Sequence, residues 1–228
     1  RDRNYEMIMS RFNIDEIGGI PLIEIKGANL TLSYLMLKRI VDIVVASVGL
    51  ILFLPIFIPM KVIYALFYGG AIIYTQPRVG KGNKVFRIYK LRTMVKDAEK
   101  STGPVLSSGK DERVLGIGRL LRRLHLDEVP QLINILLGDM SLFGPRPERP
   151  ELVKEFSKRD PLYNLRHSVQ PGLTGLAQVK GAYTTNFKYK LAYDLLYVHN
   201  MSLLMDLKIL FYTPRYILAE IFGERNRY

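Results

Sequence analysis

Two adjacent carboxylates, Asp127 and Glu128, follow a pair of arginines, Arg122 and Arg123, within one short segment of the chain. Neighbouring carboxylates repel each other, so both stay ionised only beside positive partners such as arginines, a helix N-terminus or a metal ion. An aspartate with an ordinary pKa of about 3.9 is ionised at neutral pH and can attack phosphorus without a general base. The pattern predicts phosphoryl chemistry, with Asp127 and Glu128 as catalytic residues.

The same two carboxylates are candidates for a metal site. Mg²⁺ usually takes one or two protein carboxylates and completes its shell with substrate phosphates. Asp127 and Glu128 are therefore also predicted to bind Mg²⁺ beside a diphosphate. Helix capping is the competing interpretation, because Pro130 suits the first turn of a helix and an acidic residue before that turn is a common cap.

Positive side chains are concentrated in two other segments. Residues 78 to 96 contain seven basic residues and no acidic one, a pattern that is costly unless an anion binds there. Further along, Pro145 and Pro147 stiffen the backbone on both sides of Arg146, whose planar guanidinium suits phosphate. The alternatives are a solvated basic hairpin for the first segment and an ordinary rigid turn for the second.

Composition narrows the class of protein. Of the 228 residues, 48% are hydrophobic, which is ample for a packed core. Lysine and arginine outnumber aspartate and glutamate by 33 to 21, and a net charge of +12 predicts attraction to phosphates or anionic lipid. Without zinc-finger spacings, an RNP-like strand or a basic heptad region, we expect no nucleic-acid partner.

Several familiar sites are excluded by residue type or spacing. The chain has no cysteine, which removes disulfides, thiolate zinc sites and thiol nucleophiles. The glycines near Lys81 lack the Gly-Lys-Ser/Thr ending of a P-loop, and those at Gly116 and Gly118 lack the third glycine of a dinucleotide site. The three histidines show no metal-ligand spacing.

Residues Ile43 to Met60 form eighteen consecutive positions without a charge. As a straight helix they would cover roughly 27 Å, slightly less than a hydrocarbon core of roughly 30 Å, and Pro55 lies inside them. A simple spanning helix and a re-entrant helix that breaks and returns both fit this pattern. Arg39 and Asp42, three residues apart, are expected to pair at the membrane edge.

The remaining elements are predicted from periodicity and turns. Short strands are expected within 20–27 and after the glycines at 80 and 82, and helices from 116 and over 131–137, with a polar loop over 97–112. The apolar stretch 191–222 carries tyrosines and basic residues, which favours helices on the bilayer surface or mixed packing over core helices. The predicted class is α+β and mostly helical.

Together these segments resemble the bacterial monotopic phosphoglycosyl transferases, the sugar transferases that start exopolysaccharide, O-antigen, capsule and other glycan assembly on polyprenol phosphate. The resemblance covers roughly residues 34 to 218 and rests on six ordered motifs: Lys38–Asp42, Gln76–Gly80, Phe86–Met94, Leu126–Asn134, Gly138–Pro147 and Pro171–Gln178. Six motifs in this order are highly specific.

The resemblance implies a ping-pong reaction in which Asp127 attacks the diphosphate of a UDP-sugar, releases UMP and carries the sugar phosphate until polyprenol (undecaprenyl) phosphate takes it. Glu128 would support Mg²⁺ binding or the second half-reaction. By the same motif matching, the phosphate contacts would come from Lys90, Arg122 and Arg146, with Arg78 and Arg92 as further candidates.

The resemblance also implies a re-entrant helix hairpin with its break at Pro55, on one leaflet of the bacterial inner membrane, and a catalytic domain on the cytoplasmic face. Family members often carry Ser-Pro at the break, whereas this chain has Leu54 before Pro55. The predicted organisation is a connector or tail of a preceding domain over 1–30, the re-entrant region over 31–75, and a catalytic domain with a small β-hairpin and C-terminal interfacial helices over 76–228.

Two rival functions remain open at this point. A non-catalytic membrane module would use the basic surface to hold anionic lipid headgroups but leaves the carboxylate pair unexplained. A soluble nucleic-acid binder is the weaker rival. A homodimer is compatible with the sequence, and no motif names the transferred sugar.

Overall fold

The structure, a computed structural model, describes residues 14–17, 20–23, 31–95, 98, 112–180 and 187–221. Within these ranges the chain is mostly helical and contains three two-stranded sheets, which agrees with the predicted class. The first sheet pairs β1 (Ile14–Ile17) antiparallel with β2 (Ile20–Ile23), so the strand expected within 20–27 forms with a partner. Most of the predicted loop over 97–112 lies outside the described residues.

One long apolar helix, α1 (Leu32–Phe67), follows and runs for 36 residues. Thr31 begins it by accepting a hydrogen bond from the backbone N–H of Tyr34. Among the described residues it is the one helix long and apolar enough to cross a membrane. Pro55 and Pro59 both lie inside α1. The break predicted at Pro55 therefore corresponds to no helix end and stays a prediction.

One face of α1 packs against the rest of the chain along its length, while large apolar side chains on its other faces are exposed. In the first half, Ala46 is buried in a core cluster with Leu132 and Ile135. In the second half, Met60 and Tyr64 are buried in a different cluster, which includes Leu91 and Leu121. Both halves of α1 therefore contact the same folded body.

Two polar side chains fix the first half of α1. The buried carboxylate of Asp42 accepts a hydrogen bond from the backbone N–H of Leu142 at 2.9 Å. Arg39 donates to the carbonyl oxygens of Ile135 and Leu136, at 2.6 and 2.8 Å. These carbonyls lie at the C-terminal end of the helix Gln131–Leu137, where the helix has no further turn to donate to them. Arg39 and Asp42 bind two different elements, and the expectation that they pair with each other was wrong.

The predicted β-hairpin is present as β3 (Ile73–Val79) and β4 (Val85–Leu91), paired antiparallel from Ile73 opposite Leu91 to Val79 opposite Val85. The outer edge of β4 is completed by a side chain. The fully buried Asn134 accepts from the N–H of Tyr89 at 3.0 Å and donates to the carbonyl of Arg87 at 2.7 Å. The Asn134 side chain thus pairs with the edge of β4 as a neighbouring strand would. It holds β4 against the helix that contains Asn134.

Two short helices follow the hairpin, α2 (Gly116–Arg123) and α3 (Gln131–Leu137), as the sequence predicted. After them β5 (Ser141–Phe143) pairs in parallel with β6 (Gly172–Thr174). A Cβ atom at Gly172 would lie 2.1 Å from the backbone nitrogen of Gly144, and one at Gly175 would lie 2.1 Å from its carbonyl oxygen. Glycines are required here because two backbones touch directly.

The last part of the chain is helical. Between β5 and β6 lie α4 (Pro150–Arg159) and a 3₁₀ segment, Pro161–Ser168. After β6 come α5 (Leu176–Lys180), α6 (Phe187–His199) and α7 (Leu203–Ile221). Helix α6 buries Leu191, Leu195 and Val198 and is a core helix, whereas α7 exposes Leu204, Phe211 and other apolar side chains. The packing of this region is mixed.

We predict that Gly118→Ala destabilises the protein and that Gly116→Ala on the same helix does not. A Cβ at Gly118 would lie 2.3 Å from the carbonyl oxygen of Thr93, while a Cβ at Gly116 meets nothing within 4 Å. Overpacking against backbone costs about 1–3 kcal/mol of unfolding free energy. Denaturant unfolding in detergent checks the difference, and equal midpoints for the two variants would contradict the packing described.

Candidate functional site

The acid pair lies on a tight turn between two helices. After α2 ends, His125 takes a left-handed conformation with φ of 56°, and Leu126–Glu128 form one turn of 3₁₀ helix. Helix α3 then begins after Pro130, and no side chain caps its first turn. The capping interpretation of Asp127 and Glu128 is therefore wrong for this helix.

Glu128 is held between two cations. One of its oxygens accepts from Lys90 Nζ at 2.8 Å and from Arg146 Nη2 at 2.6 Å, and its side chain is 15% exposed. Burial alone would raise the pKa of Glu128, but the charges of Arg146 and Lys90 outweigh burial and hold that pKa well below its ordinary value. Glu128 is a fixed negative charge that joins the hairpin, the acidic turn and the proline loop.

Asp127 is half-buried, and no side chain or backbone N–H of the described residues donates a hydrogen bond to it. Burial, followed by the charge of Glu128, raises the pKa of Asp127, while Lys90, Arg122 and His125 act in the opposite direction. A carboxylate with a raised pKa is the more basic one. Of the two neighbouring acids, Glu128 is bound to two cations, and Asp127 accepts no hydrogen bond from the described residues.

The cations are positioned by separate elements. Lys90 comes from β4, and its pKa is lowered by burial although Glu128 opposes this shift. Arg146 comes from the loop after β5, and Glu128 raises its pKa further above the ordinary value. Arg122, at the end of α2, donates to Thr93 Oγ1 at 2.8 Å and acts electrostatically on Asp127. Lys90, Arg122 and Arg146 are thus brought together around the acid pair, and their predicted contact with phosphate stays a prediction.

Arg92 and Arg78 have other contacts. Arg92 donates to the carbonyl of Tyr68 and lies 5.6 Å over the ring of Tyr64, which ties β4 to the end of α1. Arg78 donates to the carbonyl of Pro147 at 3.1 Å and lies 3.6 Å from Glu148. Both guanidinium groups hold the framework around the site, and their predicted contact with phosphate stays a prediction.

Three residues that sequence reasoning missed support the site. Asn134 fixes β4, Thr93 holds Arg122, and Arg166 donates to the carbonyl of Arg146 at 2.8 Å. A buried amide on the apolar helix α3 was a usable signal for Asn134. Nothing in the local sequence marks Arg166, because its partners are distant in the chain.

The donor set suits a magnesium ion that arrives with phosphate. Asp127 offers a carboxylate, and the second oxygen of Glu128 has only a 3.5 Å contact with Arg146. Within the described ranges no group of three acidic or histidine side chains is placed to hold a metal by itself. Two carboxylates with phosphate and water are sufficient for Mg²⁺, so the residues fit this ion when a diphosphate is present.

Residues 33–220 match the model of the bacterial sugar transferase family. Over 195 residues the chain is 41% identical to the UDP-N-acetylgalactosamine-undecaprenyl-phosphate N-acetylgalactosaminephosphotransferase of Aeromonas hydrophila, covering 84% of this chain and 46% of that protein. It is 34% identical over 214 residues to the UDP-glucose:undecaprenyl-phosphate glucose-1-phosphate transferase of Klebsiella pneumoniae, covering 92% of this chain and 45% of that protein.

A third relative is shorter. The exopolysaccharide production protein PSS of Rhizobium leguminosarum bv. phaseoli is 35% identical over 187 residues, which cover 78% of this chain and 94% of that protein. The chain thus spans less than half the length of the Aeromonas and Klebsiella relatives and matches nearly all of the Rhizobium relative. Because the family match covers most of its length and includes the whole acid–cation site, the chain belongs to the bacterial sugar transferase family.

Proposed function

We propose that this protein transfers a sugar-1-phosphate from a UDP-sugar to polyprenol phosphate through a covalent intermediate on Asp127. The observation that carries the proposal is the contrast between neighbouring acids: Glu128 is bound to Lys90 and Arg146, while Asp127 accepts no hydrogen bond from the described residues. The names of the Aeromonas and Klebsiella relatives, which include undecaprenyl phosphate and a UDP-sugar or a sugar phosphate, support the substrates.

The reaction has two displacements at one phosphorus. First, a carboxylate oxygen of Asp127 attacks the phosphorus that bears the sugar, the bond to the bridging oxygen breaks, and UMP leaves with the electron pair. Second, a phosphate oxygen of the polyprenol phosphate attacks the same phosphorus and displaces the Asp127 carboxylate. The products are UMP and a polyprenyl diphosphate sugar, and the free enzyme is restored.

The charges around Asp127 suit this chemistry. Lys90, Arg146 and Arg122 oppose the two carboxylates, which leaves one net positive charge before substrate binds. A diphosphate with about two negative charges would reverse this balance and repel the attacking carboxylate, so a divalent cation is needed. Asp127 and Glu128 would hold a Mg²⁺ ion that arrives with the diphosphate, and the ion would supply that charge, while the three basic residues orient the phosphates.

The membrane arrangement that we propose is a re-entrant α1 on one leaflet, with the catalytic domain on the cytoplasmic face. Near its start, Lys38 bonds Asp206 of α7 at 2.8 Å, and near its end Tyr64 is fully buried against the same folded body. Contact of both halves of α1 with one folded body supports an element that stays on one side of the bilayer. The prolines inside α1 are suited to a change of direction, and the apolar face of α7 is suited to the bilayer surface.

The sugar stays open within this proposal, because one relative is named for N-acetylgalactosamine and another for glucose. A role in the first membrane step of exopolysaccharide, O-antigen or capsule assembly follows from the reaction and is supported by the name of the Rhizobium relative. A homodimer is compatible with this proposal and stays a prediction.

Asp127→Asn should abolish transfer. The amide keeps the size of the side chain but is no nucleophile, so UMP release from a panel of UDP-sugars is expected to fall about 10³-fold or more. Intact wild-type protein should gain the mass of one sugar phosphate, and the variant should not. Glu155→Gln, which removes an exposed carboxylate on α4, is the control. Near-normal UMP release from Asp127→Asn would exclude covalent catalysis by this residue.

The pH dependence should report the coupling between the two acids. Asp127 must be ionised to attack, so turnover is lost as pH falls through its raised pKa. Glu128→Gln removes a negative charge that raises this pKa, so the acid limb of kcat/KM should move to lower pH while turnover falls. Glu155→Gln, which removes an exposed acid paired with Arg159 on α4, should leave the limb in place. An unmoved limb in Glu128→Gln would contradict the coupling.

Removal of magnesium distinguishes the proposed transferase from a non-catalytic module that only binds anionic lipid headgroups. Chelation should stop UMP release, because the diphosphate then lacks its counter-charge. Binding to vesicles of anionic lipid should persist under chelation and weaken mainly with added salt. Turnover that survives chelation would refute the role of Mg²⁺, and headgroup binding without UMP release from any UDP-sugar would favour the module.

A further inference from the structure

The loop that carries Arg146 is held by its carbonyl oxygens. Four consecutive carbonyls, from Pro145 to Glu148, each accept a hydrogen bond from a different residue, and these residues lie in three parts of the chain. The donors are, in order, the N–H of Gly172 at 2.9 Å, Arg166 Nη2 at 2.8 Å, Arg78 Nη1 at 3.1 Å and the N–H of Val79 at 2.9 Å. The loop is thus fixed from the hairpin, from β6 and from the 3₁₀ segment.

This arrangement follows from the residue types. Pro145 and Pro147 have no N–H, so the loop cannot hold itself through donors of its own at these positions. Its carbonyls remain available, and at two of the four positions the donor is an arginine side chain. A charged donor makes a stronger hydrogen bond to a carbonyl than a neutral one does.

Arg166 is the more deeply buried of these two arginines. It forms an ion pair with Asp194 of α6 at 2.6 Å, and both side chains are only 4% exposed. Its other terminal nitrogen donates to the hydroxyl of Tyr163 at 2.8 Å. A fully buried ion pair is expensive to desolvate and is often no more stable than apolar side chains of similar volume. Stability is therefore a weak reason for placing this pair directly behind the Arg146 loop.

We propose that Arg166 and Asp194 are positioning residues that act through Arg146. Asp194 fixes the guanidinium of Arg166, Arg166 holds the carbonyl of Arg146, and the Arg146 side chain then meets Glu128 and the phosphate of the substrate. This inference rests on the proposed transferase function. Catalysis is sensitive to such placement, because a displacement of about 1 Å in a phosphate-binding group costs on the order of 100-fold in rate.

The test is a double-mutant cycle with a matched control pair. Arg166→Met/Asp194→Leu replaces the buried ion pair by apolar side chains, and Lys38→Met/Asp206→Leu does the same to another buried pair that does not touch the loop. We expect the first replacement to lower kcat about 10- to 100-fold in the wild-type background. In an Arg146→Ala background the same replacement should lower kcat by less than about twofold, because both changes act through the Arg146 side chain.

The control pair should lower kcat by the same factor in both backgrounds. If Arg166→Met/Asp194→Leu does so too, its role is structural and the inference fails. Arg166→Lys provides a second variant should the apolar pair fail to fold. Arg166 Nη2 contacts both Asp194 and the Arg146 carbonyl, and lysine keeps one charged donor for these two groups. Lysine loses the Nη1 donor to Tyr163 that helps to orient the side chain, so an intermediate loss is expected.

Amide hydrogen exchange gives a readout that does not depend on activity. Peptides covering Val79 and Gly172, whose N–H groups donate to the loop carbonyls of Glu148 and Pro145, should exchange at least about fivefold faster in Arg166→Met/Asp194→Leu than in wild type, and at the wild-type rate in the control pair. Unaltered exchange would overturn the positioning role even if turnover falls. Wild-type protein that releases no UMP from any UDP-sugar would instead refute the proposed function, and the exchange result would still decide whether this pair holds the loop.

Discussion

The contact on which the site depends is the carboxylate of Glu128 between Lys90 and Arg146. It joins three segments that are far apart in the chain: a β-strand, a 3₁₀ turn and a proline-rich loop. Each of these charges would be costly to bury alone, because a desolvated ion without a partner destabilises the fold by several kcal/mol on the order-of-magnitude scale of buried charges. Together they satisfy one another, and among the described residues no group donates a hydrogen bond to Asp127.

The surrounding residues hold Glu128, Lys90 and Arg146 in the positions that this contact requires. Asn134 completes the edge of β4 so that Lys90 faces the acidic turn, and Thr93 holds Arg122 beside Asp127. The glycines of the β5–β6 crossing let two backbones touch at Gly144, immediately before the Arg146 loop. Lys90 lies on a strand and Arg122 on a helix. The loop that carries Arg146 is fixed by the hydrogen bonds that its carbonyls from Pro145 to Glu148 accept.

The apolar helix α1 belongs to the same framework. Arg92 and Tyr64 link the end of α1 to β4, only two residues beyond Lys90. Arg39 satisfies the carbonyls at the end of α3, which carries Asn134. A change in the position of α1 would therefore be transmitted to both supports of the acid–cation site. This coupling is what an enzyme requires if one of its substrates is delivered from the bilayer.

Much of this arrangement could be predicted from the sequence, and the failures share a cause. The helices and the β-hairpin follow from local periodicity, whereas the grouping of Lys90, Arg122 and Arg146 around Asp127 and Glu128 depends on tertiary packing of separate segments. Charge alone does not show which additional contacts an arginine makes: Arg78 and Arg92, whose contact with phosphate stays a prediction, both bind backbone carbonyls.

The same limit applies to Arg166 and Asp194, whose pairing depends on how the 3₁₀ segment packs against α6 rather than on any spacing in the chain. Local patterns likewise offered capping by Asp127 as the competing interpretation and predicted a pair between Arg39 and Asp42. In the folded chain no side chain caps the first turn of α3, and tertiary partners replace the local pair. Sequence identifies the residues that can carry chemistry here, but tertiary packing decides which charged side chains bind one another and which ones hold the backbone in place.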